Sequence, residues 1–154
     1  MKEIWIEISR DEVYEEVAKV TDYTGSKMID SDEGARDRIL ATDEDLATLD
    51  RFRRESVSVF EDRFRGEIVV LRGADEEEED GRYKVQLRVA RGFNRAIIGS
   101  FITAVKGFFT ANIAAQWFRF TAKEEASDYF QIAEGMLAEA ERLISARVRP
   151  RRPD

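Results

Sequence analysis

Between Ala96 and Phe118 the chain carries a single charge, Lys106. A helix of that length is about 35 Å long, enough to cross a bilayer or to run through the middle of a small domain. A membrane span would place Lys106 near the bilayer centre at roughly 3 kcal/mol. Asn112 and Gln116 add to that penalty, and no aromatic belt marks both ends. The run is therefore expected to be a buried core helix. Its aromatics, Phe101, Phe108, Phe109, Trp117 and Phe118, would cover intramolecular and intersubunit surfaces, with Trp117 in the core.

A helix apolar on most sides needs other elements around it, and the flanking sequence supplies them. Ile4, Ile6 and Ile8 alternate with Glu3, Trp5 and Glu7, the period of a strand with one apolar face. Ser9 and Glu12 have capping-box spacing, and Val13, Val17 and Val20 continue at helical spacing to a stop near Gly25. Residues 30–34 read as a polar connection before a short helical piece carrying Ile39 and Leu40. Thr42, followed by three acids, starts an amphipathic helix over about 43–65. Leu46, Leu49, Phe52, Ser56, Val59, Phe60 and Phe64 trace its inner face. Arg51, Arg53, Arg54, Glu55, Glu61 and Arg63 trace the outer one.

The period then shortens. The apolar run 67–71 and the alternation of Tyr83, Val85, Leu87 and Val89 predict a β-hairpin around Asp75, Glu76, Glu77, Glu78, Glu79 and Asp80. That acidic run reads either as a solubilising loop, dispensable for folding, or as a docking element or negative wall for a basic partner. Thr121 to Glu124 has the spacing of a second capping box. Ala126, Phe130, Ala133, Leu137, Ala140 and Ile144 then form a narrow apolar seam, predicting an αα-hairpin with the 96–118 helix. The chain closes on an Arg/Pro-rich segment. Its Arg147, Arg149, Arg151 and Arg152 belong either to a frayed terminus or to an arm that docks on another subunit or an acidic surface.

These elements predict an α+β fold, mostly α: a helical bundle with a core αα-hairpin and a small antiparallel sheet. One domain covers 1–146, with an extended tail at 147–154. No transmembrane segment or secretory signal is expected.

Composition narrows the function. The 154 residues include no His and no Cys, which removes histidine acid/base catalysis, thiol nucleophiles, disulfides and the usual zinc and iron–sulfur sites. Cysteine absence fits a reducing compartment and an extracellular particle equally. Net charge is −7, poor for general nucleic-acid binding, but it is uneven: −9 over residues 1–92 and +2 over 93–154. Gly25-Ser26-Lys27 lacks the upstream glycine and strand of a phosphate loop. Asp30-x-Asp32-x-Gly34 fails as a calcium loop, with Ala35 and Ala41 where Gly and Glu are required. No cofactor, metal or catalytic constellation is expected, and an enzyme is the least expected class.

The layout resembles small neck-region virion proteins of tailed phages and prophages, the head–tail connector (adaptor) group. The resemblance rests on Val13-x3-Val17, Tyr23-x-Gly25-x-Lys27, the 43–65 helix, Gln116-Trp117-Phe118, Glu125-Ala126-x2-Tyr129 and the Arg/Pro-rich end. It implies a non-enzymatic structural subunit of a ring between portal and tail. Its partners would be further copies of itself and portal or tail proteins, with no sequence-specific nucleic acid and no membrane. Its location would be the virion, and the host cytoplasm during assembly. By position, Arg147, Arg149, Arg151 and Arg152 become contact candidates, with the 75–80 acids as a second set. Adaptors of this kind are almost all helical, so the strand and hairpin depart from the pattern and leave a neighbouring neck or tail-completion protein open. The reading from a different class is a cytoplasmic adaptor module binding one protein through the acidic loop. A membrane-active phage protein using the 96–118 helix is the third.

Overall fold

The computed structural model describes residues 2–27, 34–35, 39–72 and 81–145. Within them the chain is a mostly helical α+β fold with a three-stranded antiparallel sheet. The order is β1 (Lys2–Ser9), α1 (Arg10–Lys27), α2 (Leu46–Arg63), β2 (Ile68–Arg72), β3 (Arg82–Val89), α3 (Ile98–Thr121) and α4 (Lys123–Ile144). Single 3-10 turns, Asp43–Asp45 and Arg95–Ile97, lead into α2 and α3.

The predicted hairpin is β2–β3, and β1 adds to the other side of β3, giving the order β1-β3-β2. The β1–β3 register pairs Ile4 with Leu87, Ile6 with Val85 and Ile8 with Tyr83. All six of these side chains are buried, while Glu3, Trp5 and Glu7 face outward. On the outer face Arg82 donates to Glu7 at 3.1 Å and Gln86 to Glu3 at 3.0 Å. A register shift between Ile68 and Val70 bulges β2.

α3 is the core helix anticipated from its apolar run. By length and composition alone it could cross a membrane. Here Phe101, Phe108, Phe109, Ile113 and Phe118 are buried beneath neighbouring elements. α4 folds back along it as the predicted αα-hairpin, and α1 and α2 pack on its other sides. The aromatic centre joins α2, β3 and α3. Phe109 meets Phe60 and Tyr83 edge-on at centroid distances of 5.9 and 5.8 Å, and Phe64 meets Phe101 at 5.9 Å. Asn112, a liability in lipid, is satisfied here: its amide donates to Ser56 Oγ at 2.7 Å, and Ser56 donates to the Phe52 carbonyl at 2.8 Å. A smaller cluster of Ala35, Ile39, Ala114, Phe118, Ala122 and Ala126 closes the opposite end.

Several local expectations are corrected. α1 runs past Gly25 to Lys27, with Gly25 buried in its last turn. Leu46 and Val59 are exposed, so α2 buries a narrower stripe than its apolar pattern suggested. Arg53, assigned to the charged face, is buried. Thr121 does not cap α4, because it completes α3 and donates to the Trp117 carbonyl at 3.0 Å. The helix break falls on Ala122, at φ −153°. The capping box at Ser9 is half present: the Glu12 amide donates to Ser9 Oγ at 3.4 Å. Trp117 is half-buried at the core's edge, its indole N–H donating to the Ile39 carbonyl.

Candidate functional site

The sequence-derived contact residues, Arg147, Arg149, Arg151, Arg152, Asp75, Glu76, Glu77, Glu78, Glu79 and Asp80, lie outside the described residues. Their attachment points are described. The acidic run is joined to β2 and β3, whose last paired residues on that side are Arg72 and Lys84. At its β3 end Gly81 has φ +67°, a left-handed conformation that favours glycine, and its carbonyl accepts from the Arg10 amide at 3.0 Å. The base of the hairpin loop is thereby tied to the first residue of α1. The Arg-rich segment follows directly from the end of α4.

An apolar groove of about 400 Å³ lies between α1, α3 and α4. Its floor comes from the small-residue side of α3: Thr103, Gly107, Thr110 and Ala111. Val20 of α1 forms one wall, and Tyr129, Ile132 and Met136 of α4 form the other. Ile132 and Met136 are 45% and 39% exposed. Met136 lies over Gly107, where an added Cβ would come within 3.2 Å of its sulfur.

Ion pairs tie the bordering helices together. Lys106 of α3 donates to Glu12 of α1 at 2.6 Å, and Lys27 of α1 meets Glu125 of α4 at 3.3 Å. The hydrogen bond and positive charge of Lys106 hold the Glu12 carboxyl below the usual carboxylate range. The two helices that form the groove's walls, α1 and α4, are acidic overall. α1 has five acids against three bases, and α4 has six against two.

A second surface centres on Phe120, 72% exposed at the end of α3. Its ring stacks nearly parallel on buried Phe52, with centroids 6.2 Å apart, and the Arg51 guanidinium lies 5.2 Å from the Phe52 centroid. An aromatic held by a buried ring is a pre-ordered contact, with little rotamer freedom left to lose on binding.

Polar side chains also gather at the α1–α2–β3 junction. Tyr14 donates to Asp50, and Tyr83 donates to Glu61 at 3.0 Å. Burial raises the pKa of both phenols, and each carboxylate partner adds to the effect, with the charge of Arg53 opposing it in both cases. Each phenol is thus held protonated as a donor, a cross-link between elements rather than an acid or base near neutrality. Among the described residues, no three His, Cys, Asp or Glu side chains come together in a metal-binding group.

Comparison with protein-family models, with curated proteins and with solved structures finds no match to this chain.

Sequence reasoning missed both surfaces. Ile132 and Met136 lie four residues apart and off the predicted seam, a local sign of a second apolar stripe on α4. The opposing Val20 and the small floor residues join them only through tertiary packing. Phe120 had no sequence signal beyond following an apolar run.

Proposed function

We propose that this chain is a non-enzymatic assembly subunit of a phage or prophage particle, of the head–tail connector or neck type, working through protein–protein contacts in an oligomeric ring. The reading rests first on the sequence layout. The structural observation that supports it is the placement of exposed apolar side chains on regular elements. Trp5 on the outer sheet face is 49% exposed, Phe120 at the end of α3 is 72% exposed, and Ile132 in the groove is 45% exposed. Single exposed apolar residues are ordinary. Here they occupy separate sites on a rigid scaffold, as suits a subunit that touches different neighbours on different sides.

The test is native mass measurement over a hundredfold concentration range, alone and with a purified phage portal protein. The reading expects closed oligomers in at least one condition. A monomer under both conditions overturns it. A one-to-one complex with a host protein, lost when residues 75–80 are neutralised, would instead establish the adaptor alternative.

A further inference from the structure

We propose that the free edge of β1 is a strand-addition site, where an extended segment of a partner protein joins the sheet as a fourth strand. The segment would carry basic, apolar and basic side chains at alternate positions. The inference is independent of the assembly reading: it concerns the chemistry that one sheet edge accepts.

Three observations carry it. The first is the phase of the backbone. The Arg10 amide donates to the Gly81 carbonyl at 3.0 Å, and the Arg88 amide donates to the Glu67 carbonyl at 2.6 Å. Peptide groups alternate sides along a strand, so Tyr83, Val85 and Leu87 bond toward β1, and Arg88 bonds toward β2. With Ile4 opposite Leu87 and Ile6 opposite Val85, the N–H and C=O groups of Glu3, Trp5 and Glu7 point away from β3. None of these groups has a hydrogen-bond partner among the described residues. The second observation is the contrast with the other edge. β2 has five residues and is bulged between Ile68 and Val70, a feature that blunts an edge strand against pairing. β1 runs for eight residues in unbroken register and contains no proline.

The third observation is the side-chain row beside that edge. Glu3, Trp5 and Glu7 share the outer face, and Trp5 between the two acids is 49% exposed. β3 shows what sits next to such a row: Arg88, Gln86 and Lys84 stand opposite Glu3, Trp5 and Glu7. A strand added on the free side meets the same three side chains. Glu3 accepts from the neutral Gln86 amide and Glu7 from Arg82. A carboxylate offers about four lone-pair sites, so each can take a further donor from the other side. Main-chain bonds then supply affinity, Trp5 is the apolar anchor, and the acids select basic neighbours. The same rule disfavours a second β1. Antiparallel pairing centred on Trp5 would set Glu3 opposite Glu7 at both ends.

Fluorescence anisotropy of a labelled, end-capped peptide, Thr-Arg-Thr-Val-Thr-Arg-Thr, titrated with the full-length protein, tests the edge. Saturable binding is expected, and the same peptide with Glu in place of Arg should bind at least tenfold more weakly. In an antiparallel fourth strand the amides of Arg and Val face β1. Methylating those amides should abolish binding, while methylating the amides of the intervening Thr should leave it nearly unchanged. Trp5→Thr, which keeps strand propensity, should weaken binding at least tenfold. Glu3→Lys combined with Glu7→Lys should reverse the preference toward the Glu peptide, a gain that a misfolded variant cannot show. Phe120→Ala, on a different surface, should leave the affinity unchanged. No binding at about 1 mM protein and peptide overturns the proposal. So do equal effects of the two methylation patterns, which would reduce the contact to charge attraction. A Kd that rises with protein concentration also overturns it, assigning the edge to a second copy.

Discussion

The two sides of α3 solve opposite problems with the same backbone. Toward α2 and the sheet it presents Phe101 and Phe109, which meet Phe60, Phe64 and Tyr83 in an aromatic cluster, with Phe108 against Phe109. Toward α1 and the flank of α4 it presents Thr103, Gly107, Thr110 and Ala111, and a groove stays open above them. One side is filled because its side chains are large and interlock. The other is open because its side chains are too short to reach across the gap between α1 and α4. Stability should therefore be concentrated on the first side and tolerance to change on the second.

The largest effect should come from breaking the filled side. Phe109→Ala removes a ring that touches both Phe60 and Tyr83, and should cost about 3–5 kcal/mol and lower the melting temperature by roughly 10 °C. Calorimetry on the purified protein checks it. A loss under 1 kcal/mol would mean that the aromatic centre is not the source of stability.

The buried polar link between α2 and α3 should rank next. Ser56→Ala leaves the Asn112 amide without its acceptor at 2.7 Å, at about 1–3 kcal/mol. Adding Asn112→Leu should recover much of the loss, because both ends of the pair are then apolar. Urea unfolding of the single and double variants gives the coupling, and strictly additive losses would remove the pair's assigned role.

The open side should respond the other way. No heavy atom lies within 4 Å of a Cβ built on Gly135 of α4, so Gly135→Ala should stabilise by about 0.8–1 kcal/mol through helix propensity alone. Gly107→Ala should gain less, because the Met136 sulfur at 3.2 Å has to move aside. Equal gains in thermal unfolding would show that Met136 does not rest on the groove floor.

The smallest effect is pH-dependent. The Glu12 carboxyl has a lowered pKa in the folded chain, so its bond to Lys106 stabilises at neutral pH and above the unfolded carboxylate pKa, and weakens as pH falls through the lowered folded value. Glu12→Gln should flatten that part of the stability–pH curve, in a comparison of melting temperatures between pH 7 and pH 3. An unchanged curve would mean that the bond contributes nothing to folding.

Elements whose pattern is local were legible before any coordinates. The alternation in β1, the β2–β3 hairpin, the apolar run of α3 and the seam of α4 all survived into three dimensions, because each buries one face by its own period. What failed depended on competition between neighbours. Thr121 has the chemistry of an N-cap, but α3 claims it first. Arg53 has the composition of a surface residue, but it is buried, with its charge acting on Tyr14 of α1 and Tyr83 of β3. The groove was invisible for a stronger reason. It is made by what α3 lacks, and a missing side chain becomes a surface only when two other helices stand on either side of it.

The central position of β3 also sets an order of events during synthesis. β1 pairs with β3 and not with β2, and its register joins Ser9 to Arg82 and Lys2 to Val89. β1 thus leaves the ribosome with its partner strand more than seventy residues downstream. At about 5–20 residues per second, Ile4, Ile6 and Ile8 wait several seconds for a strand to cover them. During that interval the nascent chain displays a short, unpaired β segment with an apolar face. Glu3 and Glu7, outward-facing in the finished sheet, are placed to discourage its pairing with other chains.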